Sequence, residues 1–587
     1  MKPKINKLYI SRWRYTLLAS FLLALPVAAI WHIAGLQVLA DVDKGYEFLQ
    51  GKVKQKLVHK ESIPAYRGVI TDRNGQPLAI SSPVIIVSAN PNQVDVNHPN
   101  FLYLADYLSL NPKSLKKRLS KNSHKIHLRL KKDLEPAKAE KIRALKISGI
   151  YMKKAYKRFY PGGELTSQIV GITNSEDKGQ EGIELSFNHI LAGVPGNKKV
   201  LKDRRGSVIK DLGIEKNAKP GRNITLSIDM RLQHKAYTEL KEAVIKNNAK
   251  SGSVIILDIH SGEVLAMANQ PSYNPNNRGR LSSEELIKGA RNRAILDIYE
   301  PGSTIKPFTV LAALENEKIS SEQFIDTNPG YIQIGKKIIR DHRNYGKISL
   351  DDLLKKSSNV GAIKLGIDID PGDMHDLFSR VGFGEVVGIG FPGEVSGVLP
   401  WHKKSMKLER ANLAIGYSMN ATALQVARAY SVLASGGIKK PLTLQKLDSI
   451  PKGDRVVNAE LVTEVRKMMM GATRSGGTAE DAAIYTYNVA GKTGTSHKNS
   501  VGGYEEKRYV SLFAGIVPAE NPRLVTVVII NDPKAGQHYG GKVAGPVYAN
   551  VTERALRVLR VAPKISDNKR AVVINQKVDP SQSEGDI

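Results

Sequence analysis

The chain has 587 residues, 41% of them apolar and 24% charged. That excludes wholesale disorder and is too long for one ordinary domain. There is no cysteine, which excludes disulfides, Cys-ligated metals and a cysteine nucleophile. The net charge of +31 points to a polyanionic partner or an anionic surface.

Lys2, Lys4, Lys7, Arg12 and Arg14 precede any acidic residue, and Tyr15–Leu39 carries no Asp, Glu, Lys or Arg. About 20 apolar residues suffice to cross a bilayer as a helix. The expectation is a cytoplasmic tail over 1–14, a transmembrane helix over 15–39 and everything after Asp41 outside, because the positive flank stays in the cytoplasm. A cleaved signal peptide is the rival, with Val27-Ala28-Ala29 as its cleavage site. Apolar character running on through Ile30-Trp31 to Leu39 favours the retained anchor. An outward-facing anchor also argues against nucleic acid as the polyanion.

Residues 41–60 read as a polar, helix-compatible juxtamembrane segment. Asn74-Gly75 between apolar runs predicts a hairpin. Residues 111–160 hold 17 Lys and Arg against Asp133, Glu135 and Glu140. The spacing of Leu115, Leu119, Leu128, Leu130, Leu134, Ile142 and Leu145 predicts short amphipathic helices there, with the charges as a solvated face. Residues 158–225 are rich in Gly, Pro and turns and read as loops and strands.

A boundary falls near Asn223. Thr225–Ile228 reads as a strand, and Asp229 as the cap of a helix from Met230 to about Asn247. Ser253–Ile259 and Glu263–Asn269 form a predicted hairpin through His260-Ser261-Gly262. A mostly helical, loop-rich middle follows over 283–477. Tyr487–Thr495, Tyr509–Val517 and Arg523–Asn531 return to strands. Short connections make antiparallel neighbours, so the fold class is α+β: one antiparallel sheet built from both ends of a domain, with helices between. The tail beyond 562 is polar.

Several motifs fail. Gly491-Lys492-Thr493 would need glycine at Thr486 to be a phosphate loop. Gly388 to Gly393 matches a dinucleotide fingerprint, but Pro392 and Pro400 leave no helix after it. His124 and His127 have no third ligand nearby, so no metal or cofactor is expected.

The chemistry lies elsewhere. Ser303 and Lys306 stand at i and i+3, just before an apolar helical run, and so share a helix face. A serine nucleophile needs an adjacent base. A lysine becomes one when burial, a helix N-terminus or a second cation lowers its pKa. Ser114-Leu115-Lys116-Lys117 has the same spacing and reads as chance. Ser357-Ser358-Asn359 ends an apparent helix, and Lys492-Thr493-Gly494-Thr495 lies on or beside a strand. Lys-Thr-Gly occurs once. The order Ser-x-x-Lys, Ser-x-Asn, Lys-Thr-Gly is the signature of penicillin-binding proteins and serine β-lactamases.

The chain resembles a class B penicillin-binding protein over nearly its whole length. Arg67-Gly68 through Gly75, Arg158-Phe159-Tyr160-Pro161, Gly182-Ile183-Glu184 and Lys202-Asp203-Arg204 resemble the family's non-catalytic, dimerisation-type pedestal, here residues 40–224. A transpeptidase domain would occupy 225–562. Arg293-Ala294 through Glu300-Pro301-Gly302-Ser303 is similar to the septal, FtsI-type branch. Gly416-Tyr417-Ser418-Met419-Asn420 departs from the family's usual glycine-containing stretch.

The resemblance implies peptidoglycan D,D-transpeptidation in the septal wall. Ser303 would attack the penultimate D-Ala carbonyl of a stem pentapeptide and release terminal D-Ala. Lys306 would accept the serine proton and Ser357 would relay one to the leaving amine. Asn359 would hold the donor amide and Lys306. Lys492, Thr493, Gly494 and Thr495 would bind the terminal carboxylate, and the N–H groups of Ser303 and Thr495 would form the oxyanion hole. An amine from a second stem peptide resolves the acyl-enzyme; water in its place gives D,D-carboxypeptidase side activity. β-Lactams would acylate the same serine. The implied location is the bacterial inner membrane, with the catalytic domain periplasmic. The implied partners are an FtsW-type glycosyltransferase and other divisome membrane proteins.

An elongation-type transpeptidase and an inactive division scaffold are the alternatives. A class A synthase would need an acidic glycosyltransferase motif within 40–225, and none is seen. A β-lactamase rarely carries an anchor and a pedestal. A β-lactam sensor would need a cytoplasmic signalling region, and 14 residues precede the span.

Overall fold

Arg12–Gln37 forms one 26-residue helix, about 39 Å long at 1.5 Å per residue. Its Arg12–Ala34 stretch has a mean hydropathy of 2.1 and is not buried by any of the described residues. This is the one helix among the described residues long and apolar enough to cross a membrane. The computed structural model describes residues 11–37, 57–202, 208–500 and 503–563. The Lys2–Lys7 cluster, most of the juxtamembrane segment, Asp203-Arg204 and the tail from 564 lie outside them. Two compact units follow from the packing. Among the described residues, the first draws on those up to Tyr66, Pro83–Lys157 and Gly193–Pro220; the second on Arg67–Ser82, Arg158–Ala192 and those from Gly221 on.

In the first unit Val58–Ile63, Gly196–Lys202 and Val208–Lys216 form an antiparallel three-stranded sheet. Residues 58–60 are therefore extended, not helical. Helices Phe101–Tyr107, Pro112–Lys121 and Pro136–Ala144 bury Leu104, Leu115, Leu119 and Ile142 in a separate core. Asn111 caps the second of these helices, accepting from Ser114 N at 3.2 Å, and Pro112 fits its first turn because no N–H is needed there. The helix reading fails for Leu128, Leu130 and Leu134, which lie on strand Leu128–Leu134 paired with Ile85–Ala89. The three leucine side chains are buried while Arg129, Lys132 and Asp133 between them are exposed; exposed Lys132 breaks the period-two alternation, so the strand has no clean local signal.

In the second unit the five-stranded antiparallel sheet runs in the order Val264–Gln270, Ser251–Asp258, Leu524–Asn531, Gly503–Val517, Ala490–Ser500. The sheet is thus built from both ends of the unit, as its pattern predicts. Alternate side chains enter two cores. Ile255, Leu257, Val525 and Val527 pack with helices Lys306–Glu315 and Ala423–Ala434. Val254, Ile256, Val528 and Ile530 pack with helices Met230–Lys246 and Gly545–Val558. Both faces being covered, every residue of Leu524–Asn531 is buried, at about 1.5–3 kcal/mol for each large apolar side chain. Asp229 caps helix Met230–Lys246, accepting from Arg231 N at 3.0 Å.

Two stretches that read as pedestal belong to this unit. Ile70–Thr71 pairs antiparallel with Pro77 and Ala79 around the Asn74-Gly75 turn, where Gly75 takes φ +85°. Residues 158–192 contain the short helices Ser167–Val170, Gly182–Ser186 and Asn188–Leu191 where loops and strands were expected. Three of the four pedestal motifs, those holding Arg67, Arg158 and Glu184, meet here. Glu184, fully buried, accepts from Arg67 Nε and Arg158 Nε, each at 2.6 Å. Arg67 also reaches Asn188 Oδ1 at 2.9 Å and Glu184 O at 2.9 Å. A carboxylate shared by two buried guanidiniums costs desolvation but leaves no ion unpaired, whereas deleting one partner does.

Candidate active site

Ser303 sits in the 3-10 turn Gly302–Ile305, which runs directly into helix Lys306–Glu315. It is therefore not the helix cap; Ile305 takes that place. Two bonds pin the turn and a third pins the helix that follows it. Gly302 N donates to Gly416 O at 3.0 Å, Tyr430 Oη donates to Thr304 O at 2.9 Å, and Thr309 Oγ1 donates to Ala414 O at 2.8 Å. Gly302 takes φ +54°, a conformation that L side chains seldom adopt. Ser303 is half-buried, and its Oγ makes no hydrogen bond among the described residues.

Lys306, one turn on, is 0% exposed. Its amine donates to Ser357 O at 2.6 Å, Asn359 Oδ1 at 2.8 Å and Ser357 Oγ at 3.2 Å. Ser357 ends helix Leu350–Lys356 in the left-handed region, φ 59° and ψ 41°. That uncommon geometry for a non-glycine turns its carbonyl onto the lysine. Ser358 then caps helix Asn359–Asp368, accepting from Gly361 N at 3.0 Å.

Lys492 lies on the edge strand Ala490–Ser500 and is also 0% exposed. Its amine donates to Ser357 Oγ at 2.8 Å. One hydroxyl thus separates two buried amines. Burial pushes Lys306 down to about 7, opposed by the charge of Asp341. Burial, and then the neighbouring Lys306, push Lys492 well below the usual lysine range. Two ammonium ions in so dry a place would repel, which opposes protonating both amines at once.

Thr493 Oγ1 donates to Thr478 Oγ1 at 3.1 Å, and Thr495 Oγ1 accepts from Gly540 N at 3.0 Å. Gly494 permits the close approach of this strand to the serine turn: a Cβ there would lie 2.8 Å from Pro301 O. Ser303, Ser357, Asn359, Thr493 and Thr495 line one cleft of about 640 Å³; the two lysines reach it through Ser357. The eight residues singled out from three distant motifs therefore meet.

Sequence reasoning missed other members. Tyr417, Thr478, Tyr509, His538 and Tyr539 also line the cleft. Tyr509 and His538 stack at 4.0 Å, and His538 contacts Tyr539 at 4.5 Å. Gln537-His538-Tyr539-Gly540-Gly541, a glycine-ended polar loop after the last strand, was the available signal. Asp341 carries no local signal at all. Its carboxylate accepts from Asn359 N at 2.5 Å, Ser358 Oγ at 2.6 Å and Val360 N at 3.1 Å.

A serine turn, a buried lysine, a Ser-x-Asn turn and a Lys-Thr-Gly edge strand around one cleft mark a serine acyl-transfer enzyme of the penicillin-recognising class. Comparison with known families agrees. Residues 252–553 match the penicillin-binding protein transpeptidase domain, and residues 62–226 match the penicillin-binding protein dimerisation domain. Over 571 residues the chain is 37% identical to the peptidoglycan D,D-transpeptidase FtsI of Escherichia coli K12, covering 96% of this chain and 95% of that one. The transpeptidase domain of penicillin-binding protein 3 from Burkholderia pseudomallei is 35% identical, with a TM-score of 0.53 over 58% of this chain and 98% of its own. Penicillin-binding protein 3 of Mycobacterium tuberculosis, solved with aztreonam, is 25% identical with a TM-score of 0.66, covering 86% of this chain and 98% of that one. The chain belongs to the penicillin-binding protein transpeptidase family.

Proposed function

We infer that this protein is a peptidoglycan D,D-transpeptidase of the septal, FtsI-type branch, cross-linking stem peptides through an acyl-enzyme on Ser303 and inhibited by β-lactams. The observation that carries the reading is the Lys306 amine: fully buried, lowered to about 7 and one helical turn from an unengaged serine hydroxyl. A neutral amine so placed takes the Ser303 proton as Oγ attacks the penultimate D-Ala carbonyl.

Lys492, Thr493 and Thr495 receive the donor's terminal carboxylate, with Gly494 keeping the strand close. That incoming charge draws the shared proton to Lys492 and leaves Lys306 as the neutral partner. The Ser303 and Thr495 N–H groups stabilise the oxyanion, each worth about 2.7–4 kcal/mol. Ser357, between the two amines, passes a proton to the departing D-Ala nitrogen, and Asn359 holds the donor amide. An acceptor amine then attacks the ester, Ser303 leaves, and the cross-link is complete. The test is turnover of a synthetic stem pentapeptide with a free amine acceptor. Release of one D-Ala per cross-link is expected, and hydrolysis alone, with no amide product, would refute transpeptidation.

We place the pedestal at residues 40–224 and the transpeptidase domain at 225–562. Arg12 and Arg14 at the helix start favour a cytoplasmic N-terminus and a periplasmic body in a bacterial inner membrane. A transpeptidase of this kind acts on strands polymerised by another protein, so we assign the membrane helix and the pedestal to contact with an FtsW-type glycosyltransferase and other divisome membrane proteins. Replacing residues 15–39 by an unrelated apolar helix of equal length should leave penicillin acylation intact and lower septal wall synthesis. Undiminished division with the swapped helix would make it a simple tether.

A further inference from the structure

We propose that Asp341 is a positioning residue for acylation: its carboxylate holds the Ser358–Asn359 turn against the Lys306 amine and is that amine's counter-charge. This deepens the reading above and rests on it. Asp341 directly follows strand Lys337–Arg340 of a hairpin with Tyr331–Ile334. Its backbone is fixed, since Asp341 N donates to Gly330 O at 2.9 Å. The side chain then takes three donors from one turn, Ser358 Oγ, Asn359 N and Val360 N.

An ordinary cap would satisfy those orphan amides and do nothing more. Here Ser358 already caps the helix through Gly361 N, so the carboxylate adds a second clamp on the same turn. The neighbouring Arg340 O accepts from Asn359 Nδ2 at 3.1 Å. Residues 340 and 341 therefore grip Asn359 by backbone and side chain, leaving Asn359 Oδ1 aimed at Lys306. Ser357 and Asn359 bond the Lys306 amine directly; Lys492 stands across Ser357 Oγ, and the Asp341 carboxylate holds the backbone N–H of Asn359, near enough for its charge to act on the amine. Lys492 repels the protonated amine and Asp341 attracts it. Burial alone would drive Lys306 lower than about 7, and the Asp341 charge opposes that.

The two functions separate by substitution. Asp341→Asn keeps an oxygen for the Asn359 and Val360 amides but removes the charge. Without the attraction the protonated amine is less favoured, so the rising limb of acylation against pH moves to lower pH. Asp341→Ala also releases the turn, and the plateau rate falls by about 10²-fold, the cost of a misplaced catalytic group. The measurement is the acylation rate of the full-length protein by a chromogenic cephalosporin from pH 5 to 9, with thermal unfolding recorded for each variant. A limb in Asp341→Asn that coincides with wild type overturns the proposal, whether or not the rate changes; so does an undiminished plateau in a folded Asp341→Ala. If Asp341→Ala does not fold, the Asn limb decides alone. A wild-type protein that forms no Ser303 adduct defeats the functional reading instead.

Discussion

Lys306→Arg should lose penicillin acylation by about 10²–10⁴-fold, the range a positioned general base contributes. Arginine keeps the positive charge and much of the length but does not deprotonate at any working pH. In wild type the amine is lowered to about 7 by burial. Below that pH it is protonated and cannot accept the Ser303 proton, so the rate should fall about tenfold per pH unit; above it the rate should level off. Lys306→Arg should show no such limb. The folded variant also places a guanidinium where the lysine amine meets Ser357 and Asn359 at 2.6–3.2 Å, which adds to the loss. Lys492→Arg should be milder, because carboxylate binding needs a cation more than a base. Stopped-flow acylation across pH checks both. Lys306→Arg as fast as wild type would remove the base role.

Gly540→Ala should cost acylation about 10²–10³-fold although residue 540 touches no reacting atom. Gly540 opens the turn Gly540–Val543 after His538-Tyr539 and donates to Thr495 Oγ1 at 3.0 Å. A Cβ there would lie 2.4 Å from both Gly494 O and Leu512 O. Both contacts are strand backbone, so neither yields by a rotamer change. The alanine must push the loop or the Ala490–Ser500 strand outward, and a strand so displaced carries with it Thr495, whose N–H is the proposed oxyanion donor. Loss of that proposed donor would give a rate drop of this size, and overpacking should lower stability by about 1–3 kcal/mol. Acylation rates and a denaturant unfolding midpoint measure the two effects separately. An unaltered rate would mean that Thr495 N–H does not serve the oxyanion.

The sheet and the three motifs were legible because each announces itself locally. The apolar runs around Ser253–Ile259 and Arg523–Asn531 are strand-length and end in turns, and Ser303 with Lys306 is a helical spacing. Asp341 was not legible: it precedes Ser357 by 16 residues, and only the hairpin between Tyr331 and Arg340 brings it to that turn. Thr478, His538 and Tyr539 reach the cleft through loops whose paths depend on packing across the sheet. Leu128–Leu134 was misread for a different reason. Its leucines fit a helical spacing when taken with Leu115 and Leu119, and only pairing with Ile85–Ala89 decides for the strand. Arg67, Arg158 and Glu184 stood out by resemblance, but nothing in their spacing foretold one shared buried carboxylate.

The central claim is that Ser303 is the acylated nucleophile. Incubating the full-length protein with a labelled penicillin, digesting it and sequencing the adduct peptide by mass spectrometry tests this directly. One adduct is expected, on Ser303, retained in Ser114→Ala and absent from Ser303→Ala. A stoichiometric adduct on any other residue, or one that persists in Ser303→Ala, would contradict it.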